Sequence, residues 1–105
     1  MQEFLVEVTT NIPDGTDPAE VDRRRAAEAA RAAELIAAGH LVRIWRPVGE
    51  MRSIALWRAA DEAELYERVL DTLPLWPWMT SVVTVLQSHP NDPGGTGATD
   101  GTRGR

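Results

Sequence analysis

The chain contains neither cysteine nor lysine. Without a thiol there is no disulfide, no thiolate nucleophile and no cysteine-held metal. Without an ε-amine there is no lysine Schiff base and no covalent pyridoxal attachment; all 11 basic residues are arginine. Histidine is scarce, and His40 and His89 stand far apart in the chain. A metal would therefore have to rest on carboxylates, so no metal site is expected, and no glycine-rich phosphate loop points to a cofactor. Positive charge is in deficit: the formal net charge is −5, the wrong balance for a nucleic-acid partner. No apolar run approaches the roughly 20 residues of a membrane span, and Met1-Gln-Glu-Phe-Leu-Val-Glu lacks the basic start and apolar centre of a secretion signal. The expected address is the cytoplasm, with no membrane partner.

What is present fits one small domain. The 105 residues are 43% hydrophobic, a share that supports a single modest core, to which oligomerisation would add. Residues 1–90 are expected to hold that domain. Residues 91–105, rich in Gly, Thr, Pro and Asp without a hydrophobic anchor, are expected to form a disordered tail.

Within the domain, two periodicities alternate. Phe4, Val6 and Val8 against Glu3, Leu5, Glu7 and Thr9 have the period of a half-buried strand. After a loop over residues 11–16 comes a helix with a full start signal: Asp17 as cap, Pro18 at the first position, and Glu20 placed to reach back to the cap. Gly39 stops it. Residues 40–58 read as an antiparallel hairpin turning at Pro47-Val48-Gly49-Glu50, with Leu41, Arg43 and Trp45 on one face and Val42, Ile44 and Arg46 on the other. A second helix opens at Ala60 and Asp61, buries Leu65, Val69, Leu70 and Leu73, and ends at Pro74. The segment Pro74-Leu75-Trp76-Pro77-Trp78-Met79 is expected to be irregular, and residues 80–87 form a last strand. The order βαββαβ predicts a ferredoxin-like α+β sandwich, two helices covering one face of a four-stranded antiparallel sheet. Its other face stays open and still carries apolar residues, which predicts a homo-oligomer.

The first helix holds the main chemical signal. At 100° per residue, Val21, Ala32, Leu35 and Ile36 share one stripe, and Arg25 and Glu28 fall inside it. A carboxylate on a core-facing stripe is either paired, here with Arg25, or used. As a partly buried base, Glu28 is suited to take a proton from one carbon and return it to another.

The runs Ile44-Trp45-Arg46-Pro47-Val48-Gly49, Thr72-Leu73-Pro74-Leu75-Trp76-Pro77-Trp78-Met79 and His89-Pro90 together resemble the muconolactone Δ-isomerase family over roughly residues 3–93. The resemblance implies a ferredoxin-like fold, assembly into homo-oligomers up to decamers, and a double-bond shift in a small unsaturated lactone without metal or cofactor. The acidic position of the family's first helix matches Glu28. Departures are Arg43 and Glu50 where family members carry histidine in the hairpin, and Ala27 in place of an acidic neighbour of Glu28.

On these grounds Glu28 is the expected base and Arg43 the expected partner of the developing negative charge, favoured because its alternation partners Leu41 and Trp45 are apolar. Arg25, Arg46, Trp45, Ser53, Tyr66, Trp76 and Trp78 are expected to bind the substrate, a small molecule. Two other functions are compatible with the fold: a natural-product tailoring enzyme, such as a cyclase, dehydratase or cofactor-free oxygenase, and a non-catalytic ligand-binding or assembly module.

Overall fold

The computed structural model describes residues 1–94; of the expected tail over residues 91–105, only 91–94 are among them, and 95–105 lie outside the described residues. Strand β1 (Gln2–Thr10) leads through a loop to helix α1 (Pro18–Ala37), then to β2 (Leu41–Trp45), β3 (Ser53–Ala59), a second helix and β4 (Met79–Leu86). The strands form one antiparallel sheet in the order β2-β3-β1-β4. This is the ferredoxin-like arrangement expected from the order of elements. Among the described residues no helix is long and apolar enough to cross a membrane.

The core follows the two periodicities. Phe4 and Val6 on β1 are fully buried beside their neighbours Trp57 and Ala55 on β3, as alternation requires of a strand with one covered face. The second helix is uneven: α2 (Glu62–Glu64) passes into a π-helical turn (Leu65–Val69) and a 3₁₀ turn (Leu70–Thr72). Asp61 caps it by accepting from the Glu64 N–H, and Glu64 accepts in return from the Ala60 N–H. The expected stripe Leu65, Val69, Leu70 and Leu73 is buried throughout. The segment after Pro74, expected to be irregular, contains a 3₁₀ turn at Trp76–Trp78.

Helix α1 corrects two expectations. Asp17 caps it by accepting from the Ala19 N–H, but Glu20 does not reach back; it pairs with Arg23 and Arg24 instead. The side that meets the rest of the molecule runs through Val21, Arg24, Glu28, Arg31 and Leu35, steps of three and four that keep one face of a helix. Leu35 is its one fully buried side chain, while Ile36, expected beside it, is 57% exposed. A helix docked this way leans on arginines. Arg24 donates to the Pro74 carbonyl at 2.8 Å and lies 4.5 Å from the centre of the Trp78 ring, and Arg31 donates to Thr72 Oγ1 at 2.9 Å. Long arginine stems cover apolar surface while their heads stay wet, so such a helix needs few aliphatic contacts.

The hairpin turn closes as expected, Glu50 N–H donating to the Pro47 carbonyl, with Gly49 at φ +82°, the left-handed position that suits glycine in a type II turn. Strand β2 carries a bulge between Leu41 and Arg43. One extra residue reverses the side on which everything after it points. Leu41 faces the helices beside Trp57, Arg43 pairs with Leu56 on the open face, and Ile44 returns to the helix side beside Ala55. The expected face of Leu41, Arg43 and Trp45 is thereby split.

Candidate active site

A cavity of about 510 Å³ lies between α1 and the β2–β3 end of the sheet, within the size range of small-molecule sites. Leu41, Ile44 and Trp57 form its sheet wall, and Ala29 and Ala32 keep the helix wall shallow. Leu73 and Leu75 close one side, and Thr10, Ile12 and Met51 stand at the rim. Into this largely apolar space project three charged groups, Glu28, Arg25 and Arg46.

Glu28 is half-buried, and its Oε1 accepts the Leu75 N–H at 2.9 Å. None of the ion pairs among the described residues involves it, so the alternative of a pair with Arg25 is not formed. Desolvation pushes its carboxyl above the ordinary carboxylate range, against the opposing pull of the Leu75 N–H. A shift in this direction makes the ionised carboxylate a stronger base. Arg25 and Arg46 stand at the cavity, exposed to solvent, as donors for a planar anion.

The other expected site residues lie elsewhere. The bulge puts Arg43 on the open sheet face, stacked 5.0 Å from the Trp45 ring centre, with Trp45 itself 42% exposed. Ser53 sits at the start of β3 opposite Val8, outside the cavity wall. Tyr66 and Trp76 pack against the core, and Trp78 lies under Arg24. Trp57, which has the inward phase of its strand, forms part of the cavity wall; the Leu75 N–H is a backbone group with no side-chain signal in the sequence. Among the described residues no cluster of three His, Cys, Asp or Glu side chains is arranged to hold a metal ion.

The muconolactone delta-isomerase family model matches residues 2–92. The chain belongs to that family. It is 35% identical over 89 residues to the muconolactone Δ-isomerase of Rhodococcus opacus, a match covering 85% of this chain and 95% of the relative. With the muconolactone Δ-isomerase of Cupriavidus pinatubonensis it shares 33% identity over 88 residues, covering 84% and 95% of the two chains. A crystal structure of muconolactone isomerase superposes with a TM-score of 0.78 at 28% identity, over 86% of this chain and 93% of the other. The chain is thus an isomerase-type enzyme, as the sequence motifs imply, and the cavity holding Glu28 is its candidate active site.

Proposed function

We propose that the enzyme shifts a double bond in a small unsaturated lactone of the muconolactone type, with Glu28 carrying the proton. Ionised Glu28 takes a proton from a carbon activated by the lactone carbonyl, and the electron pair left behind delocalises onto the carbonyl oxygen. The same carboxyl returns the proton to a carbon further along the conjugated system, the double bond moves, and the atoms balance without a redox step. The observation that carries this reading is the half-buried Glu28 carboxylate, held by one backbone N–H, free of any ion pair among the described residues and aimed into an apolar cavity.

Arg25 and Arg46 take the role expected of Arg43. They are the arginines at the cavity, and positive charge there favours both an anionic substrate and the oxygen that gains charge in the reaction. The enzyme is read as a cytoplasmic homo-oligomer. That reading is supported by the uncovered sheet face, where Leu5, Ile54 and Leu56 are only half-buried, and Trp45 and Val82 are 42% and 61% exposed.

Glu28→Gln tests the assignment. It keeps shape and can still accept from Leu75, but it cannot take a proton. Turnover of muconolactone is expected to fall by roughly 10² to 10⁴-fold, the range for a positioned base, with KM little changed. Near-normal turnover would remove Glu28 from the chemistry.

A further inference from the structure

The segment after the second helix contains a carbonyl that its own turn leaves unpaired. Trp76 N–H donates to Leu73 O at 3.0 Å, and Trp78 N–H donates to Leu75 O at 2.9 Å. The Pro74 carbonyl lies between these two acceptors, and the donor in step with it would be residue 77. That residue is proline and has no N–H. Arg24 supplies the missing donor, its Nη1 lying 2.8 Å from Pro74 O. The N–H belonging to that same peptide group, on Leu75, donates to Glu28 Oε1 at 2.9 Å.

We propose that Arg24 is a positioning residue for Glu28, acting through the Pro74–Leu75 peptide group, which it grips at the carbonyl while the N–H of that peptide holds the carboxylate. The proposal rests on Glu28 as the base of the reaction.

A cation on a peptide oxygen draws electron density toward it and makes the N–H at the other end a stronger donor. Glu28 therefore sees part of the Arg24 charge without forming an ion pair, and it keeps a free oxygen, Oε2, for the proton. A direct Arg24 pair would occupy the carboxylate and hold it ionised; a peptide between them steadies one oxygen and leaves the other to work. Arg24 is itself fixed from two further sides, by Glu20 at 2.9 Å and by the Trp78 ring, so the peptide plane is held firmly.

The charged groups facing Glu28 are few. Arg25 on its own helix and Arg46 beyond β2 share the cavity, Arg24 and Arg31 flank it along α1, and residues 73–78 bring no ionisable side chain. Burial raises the Glu28 carboxyl and the Leu75 N–H lowers it, so loss of Arg24 acts in the direction of burial.

The test is Arg24→Met in the full chain, read by the Leu75 amide in ¹⁵N-leucine NMR spectra and by the pH profile of kcat/KM on muconolactone. The Leu75 amide proton is expected to move upfield, and its titration midpoint, which reports Glu28, to rise. The acid limb of kcat/KM should move with it to higher pH. Arg23→Met removes the same charge one residue away but leaves Pro74 untouched, and should move neither readout. If Arg24→Met does not fold, Arg24→Gln, a neutral donor, should give a smaller shift in the same sense. An unmoved Leu75 resonance and midpoint in the folded variant would overturn the proposal, as would an equal shift in Arg23→Met. A midpoint that rises while the kcat/KM limb stays put would uphold the peptide link and overturn Glu28 as the base.

Discussion

Glu28 combines a side chain that prefers water with a position that half removes it from water, and that conflict makes it legible in a sequence. Its raised carboxyl sets the sign of a linkage effect. A carboxyl with a higher pKa in the folded than in the unfolded state binds its proton more tightly when folded. The associated stability is full below the unfolded value and is lost as pH rises through the folded one. Glu28→Gln should therefore gain melting temperature relative to the parent near pH 7 and match it near pH 4, as differential scanning fluorimetry across pH would show. An opposite trend would mean that Leu75 and the arginines stabilise the anion more than burial destabilises it. Arg46→Gln should raise KM by about tenfold, the effect of roughly 1.4 kcal/mol lost from a charge-assisted contact, while Arg43→Gln on the open face should leave steady-state kinetics on muconolactone unchanged. The place of Glu28 at the cavity could be read from a helical stripe and a family resemblance; the presence of Arg46 rather than Arg43 at its wall could not. That placement depends on a single extra residue in β2, and a bulge leaves no mark in a pattern of alternating apolar positions.

At the level of the elements, α1 shows where periodicity fails. Leu35 and Ile36 fall on the same computed stripe, yet Leu35 is 2% exposed and Ile36 is 57% exposed. The helix is turned so that Arg24 and Arg31 reach the carbonyls and hydroxyl of residues 68–74, and a stripe drawn from aliphatic residues alone cannot weigh arginine as a docking group. Leu35→Ala should cost about 2–5 kcal/mol, as for other fully buried leucines, whereas Ile36→Ala should stay within about 0.5 kcal/mol. Urea melts of the two variants measure the difference. The strands and the second helix were more transparent, because Phe4, Val6, Leu65, Val69 and Leu70 are fully buried apolar residues at the spacing their elements require. The Pro74–Pro77 segment was legible only as a break; that its prolines free a carbonyl for Arg24 emerges once α1 is laid across it.

The whole molecule buries one sheet face and leaves the other with its apolar centre partly wet. Light scattering behind size exclusion at micromolar concentration should give a mass that is a multiple of 11.6 kDa, and Val82→Lys, a charge on the exposed face, should lower that mass without loss of helical and strand signal in circular dichroism. A parent protein that elutes as a monomer would leave the open face without that role. The sheet order has a kinetic counterpart. Strand β1 lies inside the sheet, and its outer neighbour is β4, far along the chain, with Glu3 standing opposite Leu86. Strand β1 cannot complete its hydrogen bonding until β4 has left the ribosome, so nascent chains that end before Met79 carry β1 without its outer neighbour. Pairings so distant along the chain slow folding toward the millisecond-to-second range. Refolding should thus be limited by the closure of β4 onto β1, and a Val83→Ala chevron should show its effect mainly in the folding arm, whereas an effect confined to the unfolding arm would place that closure after the transition state.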